Sequence, residues 1–351
     1  MSYIAKPTAH HPALKKNALG LTRRDYEGSM STLCAGCGHD SITGAIIEAC
    51  FELDIEAHRL VKLSGIGCSS KAPTYFLSKS HGFNSVHGRM PSLATGANLA
   101  NRQLLYLGVS GDGDTASIGL GQFCHAVRRR LNMTYIVMNN GCYGLTKGQF
   151  SATNDKSSPS KKGDANVFDA IDLCQFAIQL GAGFVGRSFS GDKSQLVPLI
   201  QAALRYNGFS FLDIVSPCVT FNNHTTSTKS YEWVRDHNHM FGRLDYVPAM
   251  QEIEVDYAAG ETVDVSMHDG SRVRLSKLDA DYDPRDPDQA LAMIRRCNNA
   301  GEVATGLLYI DEGEQDLHRL LGTADRPLNS VPMSELCPGS KELAAINARF
   351  A

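Results

Sequence analysis

Two segments decide the fold, LLYLGVSGDGD at residues 104–114 and MTYIVMNNGCYG at residues 133–144. Each begins with a short apolar run and then passes into a glycine- or asparagine-rich loop, which is typical of a buried parallel strand. A helix is predicted between them, over residues 116–131. This strand–helix–strand unit predicts a parallel sheet with polar loops at the carboxyl ends of its strands.

The same alternation continues over about 180 residues and favours an α/β fold with a doubly wound, mostly parallel sheet. Further helices are predicted at 40–53, 92–101, 170–180 and 193–206, and further strands at 59–63, 184–188 and 211–215. The polar, irregular residues 1–30 are expected to form an N-terminal arm, and residues 31–223 the main domain.

Residues 224–351 are expected to form a polar C-terminal extension that contacts a partner. Alternating residues at 262–267 and 272–276, on either side of HDGS, predict a hairpin. A helix at 287–298 and a strand at 303–310 are predicted to follow it.

Composition excludes several classes of protein. The 351 residues include 34 basic and 37 acidic ones, a net charge of −3 that gives no electrostatic surface for nucleic acid. The mean hydropathy is −0.20, and the sequence has no apolar run of about 18 residues that would span a membrane. The first thirty residues lack the apolar core of a secretory signal, so we expect a cytoplasmic protein.

Four of the ten cysteines lie in predicted loops. Cys34 and Cys37 form a C-x-x-C pair, Cys68 follows Gly-Ile-Gly, and Cys218 follows Ser-Pro. Such thiols suit a tetrahedral zinc ion or a [4Fe–4S] cluster. Because only one pair is close in sequence, the spacing favours a cluster, with zinc or unrelated thiols as alternatives. Three others fall among apolar residues on predicted helices and are expected in the core: Cys50, Cys124 and Cys174.

The loops after the two central strands carry ligands suited to a magnesium-bound diphosphate. Asp112 offers a carboxylate between two glycines, Asn140 an amide oxygen and Cys142 a backbone carbonyl. The start of the following helix offers free amides to an anion. Each motif alone is an ordinary turn. Their order, with 25 residues between Gly113 and Asn139, matches the thiamine diphosphate motif.

Taken together, these motifs resemble the β subunit of 2-oxoacid:ferredoxin oxidoreductases. The matching segments are CAGCGHD at 34–40, SGIGCSSK at 64–71, HGRMPSLATGANLA at 87–100, GDGDTASIG at 111–119, NNGCYGLTKGQFSAT at 139–153 and SPCVTFN at 216–222. The resemblance implies oxidative decarboxylation of a 2-oxo acid with coenzyme A, giving acyl-CoA, CO₂ and electrons for ferredoxin, or the reverse reaction. It also implies thiamine diphosphate, Mg²⁺, an α subunit in a dimer of αβ units, and a [4Fe–4S] cluster on the four loop cysteines.

The resemblance also assigns residues to the site. Asp112, Asn140 and the Cys142 carbonyl would hold Mg²⁺. The remaining cofactor-binding residues would be Ile66, Gly67, Cys68, Ser69, His87, Gly111, Gly113, Asp114, Gly144, Leu145 and Thr146.

Two residues are candidates for catalysis. Lys71 would bind the substrate carboxylate, or else be a solvated surface lysine. His39 would donate to the substrate oxyanion or contact a phosphate, or else cap a helix. Arg89 is a further candidate for a cofactor contact.

One part of a thiamine site has no candidate in the sequence. The aminopyrimidine of the cofactor needs a carboxylate, and no pattern selects one, Glu48 included; the resemblance implies that the α subunit supplies it. Two rival functions are a non-redox thiamine diphosphate decarboxylase or synthase and a metal-binding interaction subunit. The GCSSK loop and the long C-terminal region favour 2-oxoglutarate as substrate, with pyruvate second.

Overall fold

The computed structural model describes residues 11–159, 163–240, 244, 262–266, 272–276, 282–337 and 339–350. Its α-helices are α1 (Gly38–Glu52), α2 (Met90–Ala100), α3 (Leu120–Arg128), α4 (Leu173–Gln179), α5 (Lys193–Arg205), α6 (Tyr231–His237), α7 (Pro287–Ala300), α8 (Leu317–Leu321), α9 (Met333–Leu336) and α10 (Ser340–Asn347). Its strands are β1 (Leu60–Ser64), β2 (His81–Asn84), β3 (Leu105–Gly111), β4 (Met133–Asn139), β5 (Cys142–Tyr143), β6 (Gln149–Phe150), β7 (Phe184–Phe189), β8 (Phe209–Val215), β9 (Asn238–Met240), β10 (Thr262–Ser266), β11 (Arg272–Ser276) and β12 (Val303–Ile310).

Eight strands form one sheet in the order β2-β1-β3-β4-β8-β7-β12-β9. The first six are parallel, β12 runs antiparallel to β7, and β9 runs parallel to β12. The predicted mostly parallel α/β fold is therefore confirmed.

Helices cover both faces of this sheet. Along β4, Tyr135 and Val137 join a core with residues of α2, α3, α4 and α7, whereas Ile136 and Met138 join a core with α1 and α5. All seven residues of β4 are buried. Burial on both faces explains why its sequence is a continuous apolar run rather than an alternating one.

The carboxyl ends of β3 and β4 lie side by side, because Gly111 pairs with Met138 in the parallel register. Asp112 and Asn140 therefore leave neighbouring strands at the same edge of the sheet. The helix predicted from residue 116 begins with a different local structure. Residues Gly113–Ile118 form a π-helical turn, which ends where the Gly119 amide donates a 2.9 Å hydrogen bond to the Asp114 carbonyl. Helix α3 follows this turn.

The two terminal regions pack onto this framework. The described part of the N-terminal arm lies against α1, where Tyr26 is buried against Phe51 and its hydroxyl accepts a 2.8 Å hydrogen bond from Asn17. β12 belongs to the main sheet, although the sequence places it in the C-terminal extension.

The predicted hairpin is present as the antiparallel pair β10–β11, and its connecting residues lie outside the described ones. The edge strand β2 was not predicted, because its sequence HGFN has no apolar pattern and all four residues are exposed. In the part of the chain that the structure describes, none of the helices combines the length and the apolar character needed to span a bilayer.

Candidate functional site

A cavity opens at the carboxyl ends of β3 and β4. All the residues predicted to bind the cofactor, apart from the further candidate Arg89, line it, and so does His39. The lining residues are His39, Ile66, Gly67, Cys68, Ser69, His87, Gly111, Asp112, Gly113, Asp114, Met138, Asn140, Cys142, Tyr143, Gly144, Leu145 and Thr146. The structure thus brings four separate loops together around one space, while the roles of their residues stay predictions.

Asp112 is buried at the base of this cavity, with 1% of its surface exposed. Its Oδ2 accepts hydrogen bonds from the hydroxyls of Ser151 and Thr153, the latter at 2.7 Å. Its Oδ1 accepts a hydrogen bond from the backbone amide of Asn140 at 3.3 Å. Burial raises the pKa of Asp112, and these donors oppose that rise. A desolvated carboxylate of this kind favours a divalent cation.

Asp114 has a different environment from Asp112. Its Oδ1 accepts hydrogen bonds from the amides of Ile66 at 3.3 Å and Gly88 at 2.8 Å and contacts His87, and its Oδ2 accepts from Ser110 at 2.7 Å. The carboxylate therefore connects three loops of the cavity. Its position suits holding the loops together more than contacting an anionic diphosphate.

Asn140 and His39 lie close together in the cavity lining. The Asn140 Oδ1 accepts a 3.0 Å hydrogen bond from the Cys142 amide, and its Nδ2 is 3.5 Å from His39 Nε2. His39 Nδ1 is 2.6 Å from the Ser216 hydroxyl. Burial lowers the pKa of His39 to about 4, so the ring is neutral near pH 7.

Sequence reasoning missed four residues of this site. Met138 and Tyr143 line the cavity, and the Tyr143 hydroxyl donates a 3.0 Å hydrogen bond to the Gly113 carbonyl. A side chain at position 113 would overlap the Tyr143 ring, which explains why this position is glycine. Ser151 and Thr153, which follow the β5–β6 hairpin in the chain, also contact Asp112. No local sequence pattern predicts this contact.

The four loop cysteines come together beside this cavity. The Gly38 amide donates to the Pro217 carbonyl at 3.3 Å and joins the C-x-x-C loop to the Cys218 loop. Cys34 accepts a weak hydrogen bond from the Thr220 hydroxyl, with 3.7 Å between oxygen and sulfur. Cys68 lines the cavity, and its sulfur and that of Cys218 both lie within 4 Å of the position that a Cβ atom at Gly144 would take. The two sites therefore share a wall.

The thiols in this group differ in their ionisation. Burial raises the pKa of Cys37 to about 11. The pKa of Cys218 is lowered to about 6, because the Cys142 thiol and backbone amides of the following residues donate to it. Donors aimed at a sulfur in this way stabilise a thiolate, the form that binds metal.

The separation of the sulfurs bears on which metal group fits. In the described part of the chain, no three of the four loop cysteines have sulfurs within 4.8 Å of one another. A single tetrahedral zinc ion with Zn–S bonds of about 2.3 Å would place its sulfurs about 3.8 Å apart. The choice between zinc and a cluster at these cysteines stays a prediction.

The other two candidates lie outside the cavity lining. Lys71 is half-buried on the 3₁₀ turn Ser69–Thr74, and its positive charge lowers the pKa of Cys68 against the larger effect of burial. Arg89 is exposed at the N-terminus of α2. A contact of either residue with substrate or cofactor stays a prediction.

Comparison with known proteins gives the family of this chain. Residues 65–214 match the family described as thiamine pyrophosphate enzyme, C-terminal TPP binding domain. The 2-oxoacid:ferredoxin oxidoreductase subunit beta of Sulfolobus sp is 35% identical over 248 residues, which cover 69% of this chain and 79% of the relative. The chain belongs to the 2-oxoacid:ferredoxin oxidoreductase β-subunit family.

Other relatives of this β subunit have more specific names. The 2-oxoglutarate oxidoreductase subunit KorB of Mycobacterium tuberculosis is 38% identical over 224 residues, 60% of this chain and 58% of the relative. A solved structure of 2-oxoglutarate:ferredoxin oxidoreductase from Magnetococcus marinus, with 2-oxoglutarate, coenzyme A and succinyl-CoA bound, aligns with a TM-score of 0.71 and 28% identity. The alignment covers 93% of this chain and 96% of that chain.

Membership confirms the predicted family and enzyme class. The β subunit is part of a ferredoxin-linked oxidoreductase that depends on thiamine diphosphate, and it acts with an α subunit. This membership argues against the two rival functions, a non-redox thiamine enzyme and a metal-binding interaction subunit.

Proposed function

We propose that this β subunit takes part in the coenzyme A-dependent oxidation of 2-oxoglutarate to succinyl-CoA and CO₂, and passes the electrons to ferredoxin through a [4Fe–4S] cluster. The observation that carries the proposal is the wall shared by the cavity and the loop cysteines. A Cβ atom at Gly144 would lie 3.4 Å from the Cys68 sulfur and 3.7 Å from the Cys218 sulfur. Only backbone separates the two sites here, and electron transfer needs such proximity.

The choice of 2-oxoglutarate draws on the named relatives. Two KorB subunits, from Mycobacterium tuberculosis and Methanocaldococcus jannaschii, are named for 2-oxoglutarate, and the similar solved enzyme holds it together with coenzyme A. Pyruvate is the alternative substrate, and a comparison of kcat/KM for the two acids distinguishes them.

The residues at the cavity base fit a magnesium diphosphate. Asp112, Asn140 and the Cys142 carbonyl would hold Mg²⁺, since they offer three oxygens of the kind that this ion prefers. The backbone at Gly113 starts a helical turn and would present amides to the diphosphate. When bound, thiamine diphosphate supplies the electron sink for decarboxylation. His39, neutral and close to Asn140, would keep that side chain oriented toward the ion.

The group of cysteines fits an iron–sulfur cluster. Cys34, Cys37, Cys68 and Cys218 would each supply one thiolate. Amides directed at Cys218 would stabilise its charge, and Lys71 beside Cys68 adds a positive charge to the same region. The reaction would take place in the cytoplasm, where thiols stay reduced.

A partner subunit would complete the active site. Among the described residues that line the cavity, Asp112 and Asp114 are the carboxylates. Both already accept hydrogen bonds from other residues of this chain. Glu48 lies on α1 in an ion pair with Arg23, outside the lining. The carboxylate that activates the aminopyrimidine would therefore come from the α subunit. Ile66 and Leu145, 38% and 48% exposed on the cavity lining, offer apolar surface to that partner.

Two measurements on the anaerobically prepared complex of α and β subunits test the proposal. kcat/KM should be clearly higher for 2-oxoglutarate than for pyruvate with coenzyme A and ferredoxin; a preference for pyruvate would contradict the substrate assignment. Asp112→Ala should abolish binding of thiamine diphosphate and leave the iron content unchanged, whereas Cys218→Ala should remove iron and leave cofactor binding. Loss of iron in Asp112→Ala with the cofactor still bound would contradict the site assignment.

A further inference from the structure

A second group of metal-ligating side chains lies at the far end of the sheet, among residues that the proposed reaction does not use. It consists of His239 on β9, Cys297 in the last turn of α7, and Glu302 just before β12. His239 Nδ1 is 3.0 Å from Glu302 Oε2, and Cys297 Sγ is 3.8 Å from the same oxygen. The three ligand atoms all lie within 4.8 Å of one another.

Local structure explains why these side chains meet. Gly301 has a φ of +72° and ends α7 in the left-handed region, which glycine adopts without strain. The chain then turns back, and the Glu302 amide donates to the Cys297 carbonyl at 2.9 Å. β9 pairs with β12 so that His239 stands opposite Ala304. The helix end and the sheet edge thus converge on one point.

Two of the three ligand–ligand distances lie within about 0.5 Å of those expected around one zinc ion. With bonds of about 2.0–2.3 Å to nitrogen, oxygen and sulfur, a tetrahedral zinc ion places its ligand atoms roughly 3.4–3.6 Å apart. The measured distances of 3.0 and 3.8 Å lie on either side of this value. A thiolate, an imidazole and a carboxylate together suit zinc better than magnesium or calcium, which prefer oxygen alone.

An ordinary surface ion pair does not account for the whole group. His58 and Glu56 form such a pair at 3.8 Å with both side chains well exposed and no thiol involved. At His239 and Glu302 a third ligand is present, because Cys297 is 2% exposed and its sulfur is directed at the carboxylate. We propose that His239, Cys297 and Glu302 bind one zinc ion, with Cys297 as a thiolate that releases its proton to solvent and water as the fourth ligand.

Such an ion would act on structure rather than on the reaction. β9 is a three-residue strand at the end of the sheet, held by β12, and zinc would join it to α7 as well. The preceding helix α6 carries Tyr231, whose hydroxyl donates a 3.0 Å hydrogen bond to the Gly36 carbonyl within the C-x-x-C loop. Zinc would thereby stabilise a segment that supports the cysteine loop, without contacting its thiols.

The test measures zinc and iron in the same samples of the anaerobically prepared α–β complex. After dialysis against low micromolar zinc and then against metal-free buffer, elemental analysis should find about one zinc per β chain in the wild type. Cys297→Ser and His239→Ala should lose this zinc with their iron unchanged. His58→Ala and Cys337→Ser are matched controls, an exposed histidine of a His–Glu pair and an exposed cysteine, and should keep it.

Two outcomes would overturn the proposal: no zinc in the wild type, or equal zinc in the wild type and in both site variants. If Cys297→Ser does not fold, His239→Ala decides the matter, because that side chain is 45% exposed. The zinc proposal does not depend on the proposed function. A failure of the cluster assignment would appear separately, as missing iron in the wild type.

Discussion

Thr153 provides a sensitive test of the magnesium site, because it acts on the proposed ligand Asp112 without itself facing the cavity. Its hydroxyl donates to Asp112 Oδ2 at 2.7 Å and lies 2.9 Å from Asn139 Oδ1. The side chain is buried, with 2% exposure. Thr153→Val keeps nearly the same shape and removes the hydroxyl, so the carboxylate loses one of its two hydroxyl donors.

The size of the effect follows from the cost of that hydrogen bond. A hydrogen bond to a charged group contributes about 1.5–3 kcal/mol, which corresponds to roughly 10- to 150-fold in affinity at about 1.4 kcal/mol per tenfold. Since Ser151 still donates to the same oxygen, we expect the lower part of this range, roughly 10- to 30-fold weaker Mg²⁺ binding. The pKa of Asp112, already raised by burial, rises further, so the loss should grow as pH falls.

The assay is calorimetric titration of Mg²⁺ into the α–β complex in the presence of thiamine diphosphate, at two pH values. Thr153→Ser restores the hydroxyl and is the matched control, with affinity expected within about threefold of the wild type, a difference of roughly 0.7 kcal/mol or less at about 1.4 kcal/mol per tenfold. Unchanged affinity in Thr153→Val would refute the assignment of Asp112. Equal losses in the valine and serine variants would indicate a packing effect instead.

Three further predictions concern groups elsewhere in the fold. Burial raises the pKa of Glu314 to about 7 in the folded protein. Because the folded pKa is raised, the free energy of unfolding should fall by roughly 3 kcal/mol as pH rises from about 4.5 through about 7. Urea unfolding across that pH range measures this fall. Arg187→Met leaves the buried Asp213 carboxylate without its ion pair and should lower the unfolding free energy by about 3–5 kcal/mol. Gly65→Ala places a methyl group where Asp114 Oδ2 lies, so thiamine diphosphate binding should be lost and stability should fall by about 1–3 kcal/mol.

Each of these predictions has a control in the same chain. Glu314→Gln should abolish the pH dependence, and an unchanged slope would contradict the assignment. Arg102→Met removes a pair with Asp325, whose side chain is 98% exposed, and should cost less than about 1 kcal/mol; a cost equal to that of Arg187→Met would show that burial is not the cause. Gly96→Ala lies in α2 with open space around it and should stabilise by about 0.5–1 kcal/mol, and its cofactor binding should match the wild type.

The sequence was sufficient for the central sheet because its signals are local. Apolar runs ending in glycine or asparagine mark β3 and β4, and their bounds agree with the structure within one residue. The prediction that Asp112 and Asn140 meet followed from strand order alone. Cys34, Cys37, Cys68 and Cys218 stood apart by their loop contexts, and the fold brings these loops together.

Other features could not be predicted because they depend on distant contacts. Ser151 and Thr153 reach Asp112 across about 40 residues of chain, and Asp114 is engaged by amides of two other loops. The exposed edge strand β2 has no apolar pattern of its own. His239, Cys297 and Glu302 are about 60 residues apart at their widest and meet only because β9 pairs with β12.

The central claim is that the four loop cysteines hold an electron-accepting cluster beside the cofactor cavity. The most direct test is the iron and acid-labile sulfide content of the anaerobically purified chain, with its visible spectrum before and after reduction. We expect about four of each per chain, together with a broad absorbance that bleaches on reduction. Zinc in place of iron at these cysteines, with no bleaching absorbance, would contradict the claim.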